Sequence, residues 1–382
     1  MTEATYTKTD LQKMGEMRIQ LHDDRYEAAE IVGSGEFLYD PQVFWDWNPA
    51  SDWATPPGSI LVSDIGGQRQ PGWDPTMGHG AIYRLHPDNR IETIMAPAVG
   101  RQAGVFRPVI APQGWGDFGG NIFFGSQIVP GRRGAVMEHM VYRLAPGETR
   151  PHPFAIAPRA GTIAGGMPGA LMAGVFGRPG TPEEGLLLLI SMHNCTVYAA
   201  RPDGSIEPWI VMDGVNGPGP VMPYRIYYAH ESIAGQRDML VIEGVWGTSF
   251  GVQNHSYAPA QYRVQGRTVL PEAIEALAGG PGPIAPAGFG PHAGQMFRPD
   301  HGGFISSVHW TKGSRQTLPY TDKIVRRDET GKEHVFASNL QAGQNLIGFA
   351  GDRMIITNMR HSYSSGDFHE PDGSLYAIQL KR

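Results

Sequence analysis

One cysteine, Cys195, stands among 382 residues, so neither an internal disulfide nor a zinc site built from cysteine alone is possible. Long apolar runs are missing as well. No stretch of 18 apolar residues occurs, and Met1–Asp10 lacks the apolar centre of a secretory signal, which points to a cytoplasmic chain with no membrane contact. Charge is scarce at 18%, and Asp plus Glu outnumber Lys plus Arg by 37 to 31, for a net charge of −6. Nucleic acids and anionic lipids both favour basic faces, so neither is expected as a partner. No glycine-rich loop opens a helix after a strand, which leaves nucleotide chemistry unsupported. Ser126, Ser191 and Ser307 lack the context of a nucleophile elbow. The sequence carries no signal for an oligomeric state.

Turns are what the chain has in plenty, with 51 Gly and 32 Pro, and they punctuate a repeat. Ile82-Tyr83-Arg84-Leu85-His86-Pro87-Asp88-Asn89 reads as a strand entering a tight turn. Val141-Tyr142-Arg143-Leu144-Ala145-Pro146-Gly147-Glu148 and Val197-Tyr198-Ala199-Ala200-Arg201-Pro202-Asp203-Gly204 repeat it. Gln261-Tyr262-Arg263-Val264 and Ile324-Val325-Arg326-Arg327 are looser copies, and Leu375-Tyr376-Ala377-Ile378-Gln379-Leu380 ends the series. Successive starts lie between 51 and 64 residues apart. A β unit recurring at such a period cannot bury its own faces and must stack on its neighbours.

Each unit parses as four strands, innermost first. Blade one opens at Glu36-Phe37-Leu38-Tyr39, blade two at Arg107, blade three at Ala170 and blade four at Arg225. Blade five opens at Gln295–Phe297, continues through Phe304–Val308, and follows a loop at Gly279–Gly290. Blade six starts at Asn345 and has no fourth strand before the chain reaches Arg382, whereas Tyr26–Val32 is spare at the front. Letting that spare strand complete blade six closes the ring and removes an exposed edge. The expected fold is therefore all-β: a single six-bladed β-propeller over residues 26–382, preceded by a polar extension over 1–25. Insertions between second and third strands (for example Gly66–His79 and Val245–Pro259) project from one face, where binding is expected.

Stacking the blades puts Glu36, Arg107, Arg225, Gln295 and Asn345 at the starts of inner strands, around a central channel. The ends of the second strands bring Asp64, Ser126, Glu243 and Asn358, with Gln127, His193 and His309 one residue further on. Several of these follow apolar runs, where a charge needs a partner or a metal. Glu36, Asn345, Asp64 and Asn358 offer oxygens suited to a hard divalent cation, calcium first. The competing reading pairs Glu36 with Arg107 or Arg225. His193, His230, His255, His309 and His361 from blades three to six offer a zinc or iron alternative, without a tight local ligand spacing. Any one of them equally suits general acid–base work.

Gly35-Glu36-Phe37-Leu38-Tyr39-Asp40, Leu61-Val62-Ser63-Asp64-Ile65 and Gly351-Asp352-Arg353-Met354-Ile355-Ile356-Thr357-Asn358 resemble segments of the gluconolactonase / senescence-marker-protein family of six-bladed propellers. The resemblance implies a channel metal held by Glu36, lactone hydrolysis, and substrate contact by Arg107. The family's proline after its Glu-Gly pair and its middle-blade Asn-Gly and Ser-Asp-Gly motifs have no counterpart here.

The expected function is thus metal-assisted hydrolysis of a lactone or related ester, a small-molecule substrate. Glu36, Asn345, Asp64 and Asn358 are the metal candidates (calcium, with zinc, manganese or iron as alternatives). Arg107, Arg225, Gln127 and His361 are the substrate candidates, and His193, His309 and Glu243 the proton-transfer candidates. Two alternatives are a lyase or isomerase working through channel histidines and acids, and a binding propeller without chemistry.

Overall fold

The computed structural model describes residues 19–33, 41–44, 58–64, 80–96, 103–128, 138–156, 171–191, 194–212, 221–228, 239–246, 259–273, 284–300, 322–340, 347–359 and 373–382. These form six small antiparallel sheets, the blades of a six-bladed β-propeller. Blade one holds β3 (Pro41–Phe44), β4 (Ile60–Asp64), β5 (Ala81–Leu85) and β6 (Ile91–Met95). Blade two holds β7 (Ala103–Ile110), β8 (Ile122–Ile128), β9 (Glu138–Leu144) and β10 (His152–Ile156). Blade three holds β11 (Leu171–Phe176), β12 (Leu187–Ser191), β13 (Thr196–Ala200) and β14 (Ile206–Val211). Blade four holds β15 (Val221–Tyr228), β16 (Leu240–Trp246), β17 (Pro259–Gln265) and β18 (Thr268–Ala273).

The second strands are sandwiched between neighbouring blades, so both of their faces are buried and their sequences read as unbroken apolar runs. Leu187-Leu188-Leu189-Ile190 is the clearest, with 0% exposure at each residue. Leu187 and Leu189 pack with Phe123 and Val141 of blade two, whereas Leu188 and Ile190 pack with Ile226 and Ile242 of blade four. Fully burying each such side chain stabilises the ring by roughly 2 kcal/mol. Leu61 and Ile82 meet Ile110 and Phe124 in the seam between blades one and two. Two more seams, five against six and six against one, are filled in the same way.

The repeated tight turns join third strands to fourth strands. In Arg201-Pro202-Asp203-Gly204, the Gly204 amide donates to the Arg201 carbonyl, and the Asp203 carboxylate accepts from the Ser205 amide. Gly204 sits at φ +82°, and a Cβ there would come within 2.5 Å of the Phe154 carbonyl oxygen. Both facts demand glycine.

Ring closure follows the expected plan. β2 (Tyr26–Val32) pairs antiparallel with β24 (Gly373–Leu380), with Tyr26 opposite Leu380 and Val32 opposite Leu375. β22 (Ile347–Ala350) and β23 (Arg353–Met359) complete blade six. The Tyr376 hydroxyl donates to Glu30 at 2.6 Å across the join. The extension read over 1–25 contributes more than a polar surface: β1 (Gln20–Leu21) pairs with β21 (Glu333–Leu340) of blade five. Residues 1–18 of that extension lie outside the described residues.

Two strand assignments change, and a third cannot be compared: in blade one the described inner strand is β3 (Pro41–Phe44), and Glu36–Tyr39 lies outside the described residues. In blade five, β19 (Met296–Asp300) pairs directly with β20 (Asp322–Arg327), which pairs with β21. So Gln295–Phe297 opens the second strand, not the first; Ile284, inside the stretch read as a loop, bridges Met296 from the inner side. Phe304–Val308 lies outside the described residues. Finally, Arg107 and Arg225 fall within β7 and β15 instead of at their starts. The ladders slip between Phe106 and Val109 and between Pro223 and Arg225, and such bulges let Pro108 and Pro223 sit within a strand that a proline would otherwise end.

The structure also reveals an internal duplication. Ile110-Ala111-Pro112-Gln113-Gly114-Trp115-Gly116-Asp117-Phe118-Gly119-Gly120-Asn121 of blade two returns as Ile284-Ala285-Pro286-Ala287-Gly288-Phe289-Gly290-Pro291-His292-Ala293-Gly294-Gln295 of blade five. The hydrogen bonds match: Ala111 N to Asn121 O at 2.8 Å against Ala285 N to Gln295 O at 2.9 Å, and Trp115 N to Pro112 O against Phe289 N to Pro286 O. Each copy contains a 3₁₀ turn, Gly116–Phe118 and Gly290–His292. The surrounding rings match too. Trp115 meets Phe123 and Phe176 at 5.1 and 5.0 Å, and Phe289 meets Phe297 and Phe349 at 5.5 and 5.2 Å.

Candidate functional site

The inner strands begin, and the second strands end, at one end of the ring. Pairing across the blades places Pro41, Asp64 and Ala81 together there in blade one, and Leu171, Ser191 and Thr196 in blade three. Asn358 and Ser374 are opposed in blade six. Apolar strands turn polar here while staying buried: Ser63, Asp64, Ser191, Thr196, Thr357 and Ser374 are all at most 6% exposed. Alternation orients two of them. Val62 and Ile355 line the seam between blades six and one, so Asp64 and Thr357, two residues further along β4 and β23, continue on the same faces. Asp64 is 3% exposed and engaged by a polar interaction.

Of the residues singled out in sequence, Arg225 and Glu243 are brought directly opposite each other on β15 and β16 of blade four. Gln127 stands opposite both Ala103 and His139 in blade two. Arg107 lies in β7 and Asn358 in β23. Glu36, His193, His309, Asn345 and His361 lie outside the described residues, as do His230 and His255. Among the described residues, no group of three His, Cys, Asp or Glu side chains is placed to hold a metal ion. Asp64 is a described carboxylate at this end of the ring, and it is buried.

The opposite end of the ring carries polar groups that sequence reasoning passed over. His292 is 5% exposed; its Nε2 donates to the Asp23 carboxylate at 2.7 Å, and its Nδ1 lies 3.0 Å from the Gln295 amide oxygen. Glu183, 3% exposed, accepts from the Tyr228 hydroxyl at 3.3 Å, and burial pushes the Tyr228 phenol above its ordinary value. Arg353 of blade six, 8% exposed, donates to Asn89 and to the His86 carbonyl of blade one. Burial lowers its pKa. The duplicated Ala-Pro-x-Gly-aromatic-Gly motif was the available signal for His292; nothing local marks Glu183.

No sequence-family profile matches the chain, and no curated protein matches it. Among the described residues, no helix is long and apolar enough to cross a membrane. Solved structures resemble it in fold. An α-L-arabinofuranosidase, Arb93A of Fusarium graminearum, aligns over 92% of this chain and 97% of its own at 9% identity, with a TM-score of 0.52. The soluble aldose sugar dehydrogenase of Escherichia coli aligns over 93% and 100% at 10% identity and a TM-score of 0.47. A protein provisionally described as a gluconolactonase aligns over 94% of both chains at 11% identity and a TM-score of 0.47. At these identities the likeness is one of fold alone, and it is the chain's own six sheets that make it a six-bladed β-propeller.

Proposed function

We propose that the chain is an enzyme acting on a small molecule at the channel end where the inner strands begin, and that its reaction is hydrolysis of a lactone or related ester. The observation that carries the reading is Asp64, a carboxylate 3% exposed at the end of an apolar strand. A charge so placed is costly unless it serves a partner or ligand. The solved structures with this fold are described as enzymes acting on sugars or as a gluconolactonase, which agrees with such a substrate class.

Glu36, Asp64, Asn345 and Asn358 are the residues that would hold a divalent cation, calcium first, by their oxygens. Such a cation, when bound, stabilises negative charge on a carbonyl oxygen. Arg107, Arg225, Gln127 and His361 orient the substrate's oxygens, the guanidinium forks suiting carboxylate or carbonyl groups. His193, His309 or Glu243 takes the proton from the attacking water. A second reading is a lyase or isomerase that works without a metal, through Arg225 and Glu243, which are register partners on β15 and β16.

The test is elemental analysis of protein purified without added metal, then a thermal melt with and without chelator, then a lactone panel. We expect about one equivalent of a divalent metal, a lower melting temperature after chelation, and lactone turnover reduced at least a hundredfold in Asp64→Asn. Metal-free protein that does not respond to added calcium, zinc, manganese or iron overturns hydrolysis by this route. Turnover of a non-ester substrate with a bell-shaped pH profile would install the second reading.

A further inference from the structure

The two copies of the duplicated loop differ at one telling place. Phe118 of blade two, with the Arg143 guanidinium 4.8 Å above its ring, corresponds to His292 of blade five, so this position accepts a plain aromatic ring. Replacing Phe by His inside an aromatic cluster gains nothing in burial. The imidazole stacks on Tyr26 at 5.6 Å and meets Phe336 edge-on at 5.8 Å. Its polar partners lie on two sides. Asp23, reached by Nε2, also accepts 2.6 and 2.8 Å hydrogen bonds from Arg25 and is therefore an acceptor only. Gln295, reached by Nδ1, presents its carbonyl oxygen, because the same oxygen accepts from Arg326 at 2.9 Å; turning the amide would set its NH₂ against a guanidinium. Both ring nitrogens thus face acceptors, and the form that satisfies both is the doubly protonated imidazolium.

Asp23 belongs to the N-terminal strap, residues 19–32. That strap crosses from blade five, where the His22 amide donates to the Phe336 carbonyl, to blade six, where the Lys381 amide donates to the Arg25 carbonyl. Tyr26 is buried between the two blades, and its hydroxyl donates to the Phe289 carbonyl at 2.6 Å. We propose that Asp23 and His292 form a proton-dependent clasp that seats this strap over the seam between blades five and six, and that loss of the His292 proton loosens the strap while the rest of the ring stays folded. Besides Asp23 and Gln295, the charged or titratable groups facing the imidazole are Arg25 on the strap, Arg326 on β20 and the Tyr26 phenol. The phenol is pushed up to about 12, chiefly by burial, and so stays neutral across the relevant range. Neither arginine changes charge there. Deprotonation leaves one lone pair aimed at an acceptor and removes the attraction to Asp23, whereas the β ladders are untouched.

Hydrogen exchange of the full-length protein between pH 6 and pH 9, corrected for intrinsic rates, tests the proposal. Protection of the strap amides, His22 and Tyr26 among them, is expected to fall about tenfold, the scale of one charge-assisted hydrogen bond. Amides of β12 and β13 are expected to stay constant. In His292→Phe, which copies the ring of Phe118, strap protection should be independent of pH. Should that variant fail to fold, Asp23→Asn serves: its strap should already exchange at pH 6 as the native strap does at pH 9. Nitrogen chemical shifts of the imidazole should report a doubly protonated ring at pH 6. A neutral ring at pH 6, native strap protection that does not change with pH, or an equal fall in His292→Phe overturns the clasp.

Discussion

Gly125 on β8 marks the closest approach between blades two and three: a Cβ there would lie 1.6 Å from the Leu171 carbonyl oxygen and 2.6 Å from its carbon. Both are backbone atoms that cannot swing aside. Gly125→Ala should therefore cost about 3 kcal/mol, read as a lower urea midpoint at unchanged slope. The charged residues set the acid limit. Asp23 is held well below the usual carboxylate range by hydrogen bonds from Arg25 first and His292 next, against an opposing effect of burial. Asp328 is lowered by Thr330 and His334, and Glu333 by Arg298. A depressed folded value means stability that is present above the ordinary carboxylate values of 3.8 and 4.5 and lost as pH falls through the folded values. Melting temperature should thus hold near neutrality and drop steadily below about pH 4. Asp23→Asn should lose about 1 kcal/mol at pH 7, and the gap to the native protein should narrow as pH falls below 4.

At the scale of elements, the strap decides whether the ring is closed. β1 and β2 together cover edges of blades five and six, and Tyr26 joins Phe289, Phe297, Phe336 and Ile356 in one cluster. A chain starting at residue 33 bares β24 as an edge and removes Tyr26, a loss of about 4 kcal/mol from the aromatic alone; it should melt much lower and aggregate. Several elements were legible in the sequence. The third strands and their turns were readable because the Pro-Asp-Gly type of turn leaves a fixed local imprint, and β12 because a strand buried on both faces must be apolar throughout. Blade five was misread for an equally physical reason. Its inner segment around Ile284 lies in a Pro- and Gly-rich stretch without strand character, so the next extended run took its place. Only the pairing of β19 with β20 corrects the order.

At the scale of the whole molecule, the ring gathers residues far apart in sequence at two ends. One end collects Asp64, Ser191, Thr196 and Thr357, and the other collects His292, Glu183 and Arg353. The first was foreseeable, since every second strand ends there, and Asp64 lies buried at that end. The second was not. Asp23 and His292 are 269 residues apart, and no spacing rule links them. The amino-acid sequence by itself determined the repeat, the strand count per blade and the closure by Tyr26–Val32, because those follow from local turn chemistry and from the need of each apolar face for a neighbour. Register, the bulges at Pro108 and Pro223, and the meeting of Asp23 with His292 were decided only in the tertiary structure. Each depends on which segments lie side by side once the ring has closed, a relation that no stretch of chain contains on its own.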